Sequence, residues 1–319
     1  MFGGVSFGPL FGDSWRTDLA TDVQGKTILV TGGNSGIGFA AAAEFARLGA
    51  NVIIGCRNAQ KASDALDQIR GDVPTANIDT MQIDLASLAS VRRFVEEWKA
   101  RKLPLDILVN NAGVMALPFG LTEDGYERQF ATNHLGHFAL TAGLLPVLEE
   151  SEIGRVVVLS SIAQYFGRMR FDALSDQRTY SSQGAYAQSK LANTLFAFEL
   201  DRRLKAKGSH VKCVMAHPGY AATNIQISGP QEEGNKFKVF IMKLGNDLIG
   251  NPPAMGARPT LRAALDSTLR GGEFIGPRGL LTLYGKPGIL LAAPQAYNRD
   301  SARQLWEVSE EMTQTPFVV

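Results

Sequence analysis

The sequence has almost no net charge, few cysteines and no long hydrophobic run. Its 32 Lys and Arg residues and 31 Asp and Glu residues give a net charge of +1, so a basic nucleic-acid-binding surface is not expected. Two cysteines, Cys56 and Cys213, are too few for an all-thiolate zinc site and predict two buried free thiols in a reducing compartment. No stretch reaches the ~18 apolar residues of a membrane span, so we expect no transmembrane segment and a cytoplasmic protein.

The histidines and the first residues of the chain carry no clear functional signal. His134 and His137 are spaced to share a metal, but they lack an acidic third ligand, so ordinary helix packing is favoured and no metal is predicted. Residues 1–24 lack the pattern of a signal peptide and predict an N-terminal extension. The remainder, residues 25–319, is expected to form one domain.

Strand-like runs of Val, Ile and Leu alternate with longer amphipathic segments along the chain. This alternation predicts an α/β fold: a single-domain, Rossmann-like, doubly wound parallel sheet of about seven strands with helices on both faces. The predicted strands cover residues 26–31, 51–55, 77–83, 105–110, 155–160, 211–216 and 273–275. The predicted helices cover residues 36–48, 59–70, 88–100, 124–148, 185–205 and 257–267. Ligands bind such sheets beyond the carboxyl ends of the strands.

A glycine-rich turn follows the first strand, with the spacing G-x-x-x-G-x-G. Glycine permits the tight turn and lets the backbone approach a pyrophosphate, while the helix N-terminus favours the anion. The motif alone could be a plain strand–helix loop, but the βαβ context favours nucleotide binding. The candidate cofactor residues in this turn are Gly32, Asn34, Ser35, Gly36, Ile37 and Gly38.

The residues after the next two strands are further candidates for the cofactor site, and the first of them favours NADP(H) over NAD(H). An NAD enzyme usually has an acidic residue after the second strand, to bind the ribose hydroxyls. This chain has Arg57 there, and an arginine suits a 2′-phosphate, although a solvated surface charge is the alternative. After the third strand, Asp84 and Leu85 are candidate cofactor residues. Asp84 would contact the adenine, or else it is the N-cap of the next helix.

Two further turns complete the candidate cofactor site. Asn111, Ala112 and Gly113 end the fourth strand, where small residues would let a ribose or nicotinamide lie against the backbone. Pro218 and Gly219 turn the chain after the sixth strand, and Thr223 is a candidate contact to the nicotinamide carboxamide. The alternative for either segment is a simple turn. His217, beside the second turn, is interpreted as structural.

Tyr186-Ala187-Gln188-Ser189-Lys190 places a phenol and an ammonium one helical turn apart. A phenol with a pKa of about 10 is a poor acid–base catalyst at neutral pH. A nearby ammonium favours the phenolate and is expected to bring that pKa toward the working range. Tyr186 is therefore the candidate general acid–base, and Lys190 is its partner. A surface helix pair is the alternative for the two residues taken alone.

These motifs, in this order, resemble the short-chain dehydrogenase/reductase superfamily, and in it the retinol-dehydrogenase-like and WW-domain-oxidoreductase-like group. The stretches that carry the closer resemblance are residues 133–138, 185–193, 217–219 and 302–310. The resemblance implies a catalytic set of Asn133, Ser161, Tyr186 and Lys190. In it, Ser161 would bind the substrate oxygen, Asn133 would hold a relay water, and Lys190 would also bind the nicotinamide ribose.

The resemblance implies an NADP(H)-dependent oxidoreductase that moves a hydride between nicotinamide and a ketone, aldehyde or alcohol. The long separation of Ser161 and Tyr186 fits an insertion over residues 164–183 that must loop out. Residues 225–255 would be a substrate lid whose apolar face predicts an apolar substrate, with a packed helix or an oligomer contact as the alternative. A homodimer or homotetramer through the helices at 124–148 and 185–205 is expected. The alternative functions are a protochlorophyllide-reductase-like C=C reductase and a non-catalytic NADP-binding regulator.

Overall fold

The computed structural model describes residues 20–219, 252–279 and 282–319. Most of the predicted N-terminal extension, residues 225–251 of the predicted lid, and Thr223 lie outside these ranges. The end of the extension is described, and it packs on the domain: Ala20 forms a bridge with Asp266, and Val23 is buried. Within the described ranges, no helix combines the length and apolar character needed to cross a membrane.

A single twisted sheet organises the fold, in the order β3-β2-β1-β4-β5-β6-β7-β8. Strands β1 to β7 run parallel, and β8 pairs antiparallel with β7 at the edge. The strands are β1 Thr27–Thr31, β2 Asn51–Cys56, β3 Asn77–Gln82, β4 Ile107–Asn110, β5 Arg155–Leu159, β6 Lys212–Ala216, β7 Phe274–Pro277 and β8 Pro287–Leu290. The predicted α/β class is confirmed, with one strand more than expected.

Helices cover both faces of the sheet. They are α1 Gly36–Arg47, α2 Ala59–Asp72, α3 Leu88–Ala100, α4 Arg128–Phe130, α5 Gly136–Leu148, α6 Ser182–Lys207, α7 Pro253–Leu265 and α8 Arg299–Thr313. Alternate residues of β1 show the two-sided burial, since Leu29 joins one core cluster and Ile28 and Val30 join the other. Side chains of α3, α5, α6 and α8 fill the first cluster, and those of α1, α2 and α7 fill the second. Every strand of such a sheet needs apolar residues on both faces.

The predicted helix at 124–148 is shorter and less regular than expected. It begins at Arg128, because the Glu127 carboxylate caps it by accepting from the backbone N–H groups of Gln129 and Phe130. A bridge between Leu121 and Glu127 closes a tight turn just before it. Between α4 and α5, residues Ala131–Leu135 form a π-helical segment. Such segments frequently mark functional sites.

The C-terminal helix α8 covers helices α5 and α6. Rings from three elements form one aromatic cluster: Trp306 of α8 lies 5.2 Å from Phe138 and 5.9 Å from Phe196, centroid to centroid. The ring of Phe317 lies 4.6 Å from that of Trp306 at a tilt of 31°, and the Arg203 guanidinium lies 4.3 Å over the Trp306 ring. The faces of α5 and α6 that carry Phe138 and Phe196 are therefore buried by the chain's own C-terminus.

Candidate active site

The glycine-rich turn between β1 and α1 has the shape that a pyrophosphate requires. Gly32 and Gly36 have positive φ angles of 65° and 55°, a region that side-chain-bearing residues rarely adopt. A Cβ atom at Gly38 would collide with the Asn111 amide and the Gly32 carbonyl. The first turn of α1 has no acidic residue, and the Ser35 side chain does not cap it. The first N–H groups of a helix have no intrahelical acceptor and can donate to an anion, so these residues fit a dinucleotide.

Thr31, at the end of β1, joins this turn to the loop after β4. Its hydroxyl oxygen accepts hydrogen bonds from the backbone N–H groups of Asn111 and Ala112, both at 2.9 Å. The Asn111 side chain donates in return to the Thr31 carbonyl at 2.7 Å. A Cβ on Gly32 would lie 3.1 Å from Ala112. The two loops predicted to hold the cofactor are thus in direct contact.

Arg57, predicted to favour NADP, and Asp84, predicted to contact the adenine, lie together at the ends of β2 and β3. The Arg57 guanidinium is 3.7 Å from the Asp84 carboxylate, and 76% of the Arg57 side chain is exposed. The N-cap alternative for Asp84 is wrong, because Ser87 caps α3 by accepting from the Ser90 N–H. Asp84 instead accepts from the backbone N–H of Ala86. Leu85 is buried, and its carbonyl lies so close to Gly136 that no Cβ fits there.

Ser161, Tyr186 and Lys190 come together at the carboxyl end of β5. The Ser161 side chain lies close enough to Tyr186 to affect its pKa, and the Lys190 ammonium lies 5.8 Å from the Tyr186 ring centroid. Tyr186 and Lys190 are only 8% and 4% exposed. The alternative of a surface helix pair is therefore wrong. The insertion loops out, as the serine–tyrosine contact requires.

Burial dominates the proton affinities of this pair. It raises the pKa of Tyr186 above its usual value of 10, and the nearby Ser161 side chain opposes this only in part. Burial also lowers the pKa of Lys190 from 10.5 to about 8. The sequence led us to expect a phenol pKa depressed by the ammonium. In the protein alone the cost of burying a phenolate is larger than that attraction.

Backbone carbonyls and neighbouring hydroxyls hold Lys190 in place. Its ammonium donates to the Leu159 carbonyl at 3.3 Å, and Asn193 donates to the same oxygen at 3.0 Å. The Ser160 hydroxyl donates to the Lys190 carbonyl at 2.9 Å and contacts Thr194. Ser160 thus serves the packing of α6 against β5, whereas Ser161 contacts Tyr186. The two adjacent serines therefore make different contacts.

Asn133 lies in the π-helical segment and is completely buried. Its side chain accepts from the Val114 N–H at 2.8 Å and donates to the Val114 carbonyl at 2.9 Å. Its second amide hydrogen is donated to the Ser189 hydroxyl, also at 2.9 Å. Both amide hydrogens are used, so the side chain braces the segment after Gly113 against α6. The predicted relay water stays a prediction.

The described part of the segment after β6 ends at Gly219. Gly219 has a φ of +72° and donates its N–H to the His217 ring at 3.1 Å. A Cβ at Gly219 would collide with the Leu283 carbonyl. His217 is buried, stacks on Phe274 and has its pKa lowered to about 4 by burial. His217 therefore packs as a neutral ring under the turn that Pro218 begins.

Sequence reasoning missed Gln129 and Tyr180. Tyr180, in the insertion, donates to the Leu117 carbonyl at 2.6 Å and accepts from the Gln129 side chain at 2.8 Å. Gln129 also accepts from the Ala116 N–H at 2.7 Å, and Ala116 has a positive φ of 55°. The insertion therefore holds the strained segment that follows Val114. Only the sequence separation of Ser161 and Tyr186 hinted at this contact.

The two histidines predicted to pack ordinarily do so in opposite directions. His134 contacts the Ser309 hydroxyl of α8 at 2.8 Å, and its ring lies 5.1 Å from that of Phe130. His137 instead contacts the Thr31 hydroxyl at 2.9 Å, near the cofactor loops. Burial lowers the pKa of His134 to about 3 and that of His137 to about 4, so both rings are neutral at physiological pH.

Cys56 and Cys213 are buried free thiols, as predicted.

The chain is similar to known short-chain dehydrogenases. Residues 26–234 match the short chain dehydrogenase family. Human retinol dehydrogenase 14 is 38% identical over 310 residues, covering 91% of this chain and 87% of that protein. The chloroplastic short-chain dehydrogenase TIC 32 B of Brassica napus is 47% identical over 259 residues, covering 78% and 79%. A solved structure of an uncharacterized Mycobacterium paratuberculosis protein is 37% identical, with a TM-score of 0.77 and coverage of 96% and 99%.

Proposed function

This chain belongs to the short-chain dehydrogenase family and is an oxidoreductase; we propose that it transfers a hydride between NADP(H) and an apolar ketone, aldehyde or alcohol. The observation that carries the proposal is the buried contact of Ser161, Tyr186 and Lys190. It lies at the same edge of the sheet as the glycine-rich turn, where α/β sheets bind their ligands.

Each buried group has a distinct task in this proposal. The bound nicotinamide supplies or accepts the hydride. Tyr186 gives a proton to the carbonyl oxygen during reduction, or takes it from the alcohol during oxidation. Ser161 holds the substrate oxygen beside that phenol, and Lys190 keeps a positive charge next to it. Asn133 keeps the segment from Val114 onward in register with α6 through Ser189.

The preference for NADP(H) rests on Arg57. The end of β2 reads Cys56-Arg57-Asn58, with no acidic side chain to bind ribose hydroxyls. Arg57 is largely exposed, and its 3.7 Å contact with Asp84 is a loose one that leaves its guanidinium able to receive a phosphate. Asn58 is less available to bind the phosphate, since its side chain already accepts a hydrogen bond as the N-cap of α2.

An apolar substrate is supported by the relatives and by the predicted lid. Retinol dehydrogenase 14 is named for an apolar alcohol, and it covers most of this chain. Two cavities of about 570 and 240 Å³ border the insertion, but neither is lined by Ser161 or Tyr186. The proposed lid at 225–255 would supply the rest of the substrate site.

The proposal includes a cytoplasmic location, although TIC 32 B is named as chloroplastic. Fractionation of cells that express the tagged chain measures its location.

The proposal is tested with purified protein and a panel of apolar aldehydes and ketones, including retinal. NADPH consumption, read by its absorbance, should be measurable and should fall at least a hundredfold, roughly, in Tyr186→Phe. Tyr126→Phe is the matched control, because that hydroxyl bonds the distant Met312 carbonyl. Equal turnover in Tyr186→Phe and wild type would reject the mechanism. Tight NADPH binding without turnover across the panel would favour a non-catalytic regulator.

A further inference from the structure

His137 links the two halves of the candidate site through both of its ring nitrogens. Nδ1 lies 3.0 Å from the Asn133 carbonyl, and Nε2 lies 2.9 Å from the Thr31 hydroxyl. The ring is 3% exposed. Asn133 belongs to the catalytic side of the site, and Thr31 belongs to the cofactor loops.

The partners of His137 fix its tautomer and the direction of each bond. A carbonyl oxygen can only accept, so Nδ1 carries the hydrogen and donates it to Asn133. Nε2 is then an acceptor, and the single hydroxyl hydrogen of Thr31 must point at it. The lone pairs of the Thr31 oxygen are therefore available to accept the hydrogen bonds that the backbone N–H groups of Asn111 and Ala112 donate.

A second, parallel set of bonds holds the histidine itself. The Thr141 hydroxyl donates to the His137 carbonyl at 2.7 Å, and Asn110 donates to that hydroxyl at 2.8 Å. Asn110 ends β4, directly before Asn111. The helix turn that carries His137 is therefore anchored to the same strand whose next residues contact Thr31.

We propose that His137 is a positioning residue that connects the Asn133 backbone to Thr31 and thereby orders the loops that bind the dinucleotide. This inference rests on the proposed cofactor role of those loops. It assigns to His137 a function that neither the glycine motif nor the four catalytic residues include. His137 acts only through Thr31 and Asn133.

Three variants test the cofactor half of this connection by titration of NADPH binding, followed by protein fluorescence. Thr31→Val deletes the hydroxyl with little change of volume and should raise the NADPH Kd about tenfold. Thr31→Ser keeps the hydroxyl and should bind NADPH as wild type does. His137→Leu should raise the NADPH Kd severalfold, because the imidazole no longer orients the Thr31 hydroxyl. That hydroxyl can then turn its hydrogen toward the Val109 carbonyl, 3.3 Å away.

The double variant Thr31→Val/His137→Leu decides whether the two residues act in series. A series connection predicts a Kd no higher than that of Thr31→Val alone, since His137 acts through the missing hydroxyl. Multiplying effects would overturn the inference. His137→Leu should also lower kcat, because it releases the Asn133 carbonyl, whereas Thr31→Val should act mainly on the cofactor Kd. His137→Gln keeps a donor and an acceptor and should recover part of both losses.

His134→Leu is the matched control, because it removes a buried histidine one turn away whose bond goes to Ser309 of α8. It should lower the unfolding temperature without changing the NADPH Kd. If His137→Leu does not fold, the Thr31→Ser and Thr31→Val pair still tests the bond, and equal Kd values for the two would overturn the inference. Failure of the wild type to bind NADPH or NADH would instead reject the proposed function.

Discussion

Lys190 is expected to lower the stability of the fold while it serves the active site. Its side chain is 4% exposed, and burial lowers its pKa from 10.5 to about 8. A difference of that size corresponds to about 3 kcal/mol of unfavourable free energy at neutral pH, because the charged form is preferred in the unfolded chain. Lys190→Met keeps the aliphatic stem and removes the charge.

The net gain from Lys190→Met is smaller than the cost of burying the charge. The pKa difference already accounts for the charge, so the further loss is that of a neutral amine bonded to the Leu159 carbonyl at 3.3 Å, which is worth about 1 kcal/mol. That carbonyl keeps its bond from Asn193, so no buried acceptor is left without a partner. We therefore expect Lys190→Met to be about 2 kcal/mol more stable than wild type at pH 7 and inactive.

The pH dependence of this difference follows from the same pKa values. Below about pH 8 the lysine is charged in both states, and the full burial cost is present. Between about pH 8 and pH 10.5, Lys190 keeps its proton in the unfolded chain but has lost it in the folded chain. The stability of the wild type therefore rises with pH relative to that of the variant. Urea unfolding of both proteins at pH 7 and pH 10 measures this. A variant less stable than wild type at pH 7, or an advantage that grows with pH, would refute the reasoning.

Two other changes give direct tests of the cofactor preference and of the C-terminal cover. Arg57→Asp should lower kcat/KM with NADPH by roughly ten- to a hundredfold and raise kcat/KM with NADH, because a charged hydrogen bond to the 2′-phosphate is worth ~1.5–3 kcal/mol. If steady-state assays give an unchanged ratio of the two kcat/KM values, Arg57 does not bind the phosphate. Trp306→Ala should cost ~3–5 kcal/mol in urea unfolding and promote self-association in sedimentation, since Trp306 is 1% exposed and covers Phe138 and Phe196; wild-type stability would contradict this packing.

The sheet and the site residues could be predicted because each depends on a local pattern. Strands buried on both faces read as continuous Val, Ile and Leu, and the turn at Gly32 and the Tyr186–Lys190 pair are short motifs. Strand β8 was missed because Pro287 and Gly288 suppress strand propensity at a position where an edge strand tolerates them. Helix α8 was missed despite a readable signal, the Asn298 cap before a spaced apolar face.

Contacts between distant residues could not be predicted in the same way. Nothing near His137 in the sequence points to Thr31, and nothing near Gln129 points to Tyr180. Similarly, Ser87 and Asp84 are both suitable N-cap residues for α3, and only the structure shows that the helix begins directly after Ser87. Burial likewise reverses the direction expected for the Tyr186 pKa, because the sequence shows the neighbouring cation but not the removal of water.

The distribution of hydrogen bonds separates the scaffold of the site from the groups available to ligands. Thr31, Asn133 and His137 are buried, and their polar atoms bond one another or the adjoining backbone. A buried polar group without a partner costs stability, so such a network selects one arrangement of the loops. The N-terminus of α1, by contrast, has no side-chain cap and no acidic residue in its first turn, and Arg57 is largely exposed with only a 3.7 Å contact to Asp84. A rigid interior that presents unsatisfied donors at its rim binds an anionic dinucleotide with little loss of conformational freedom.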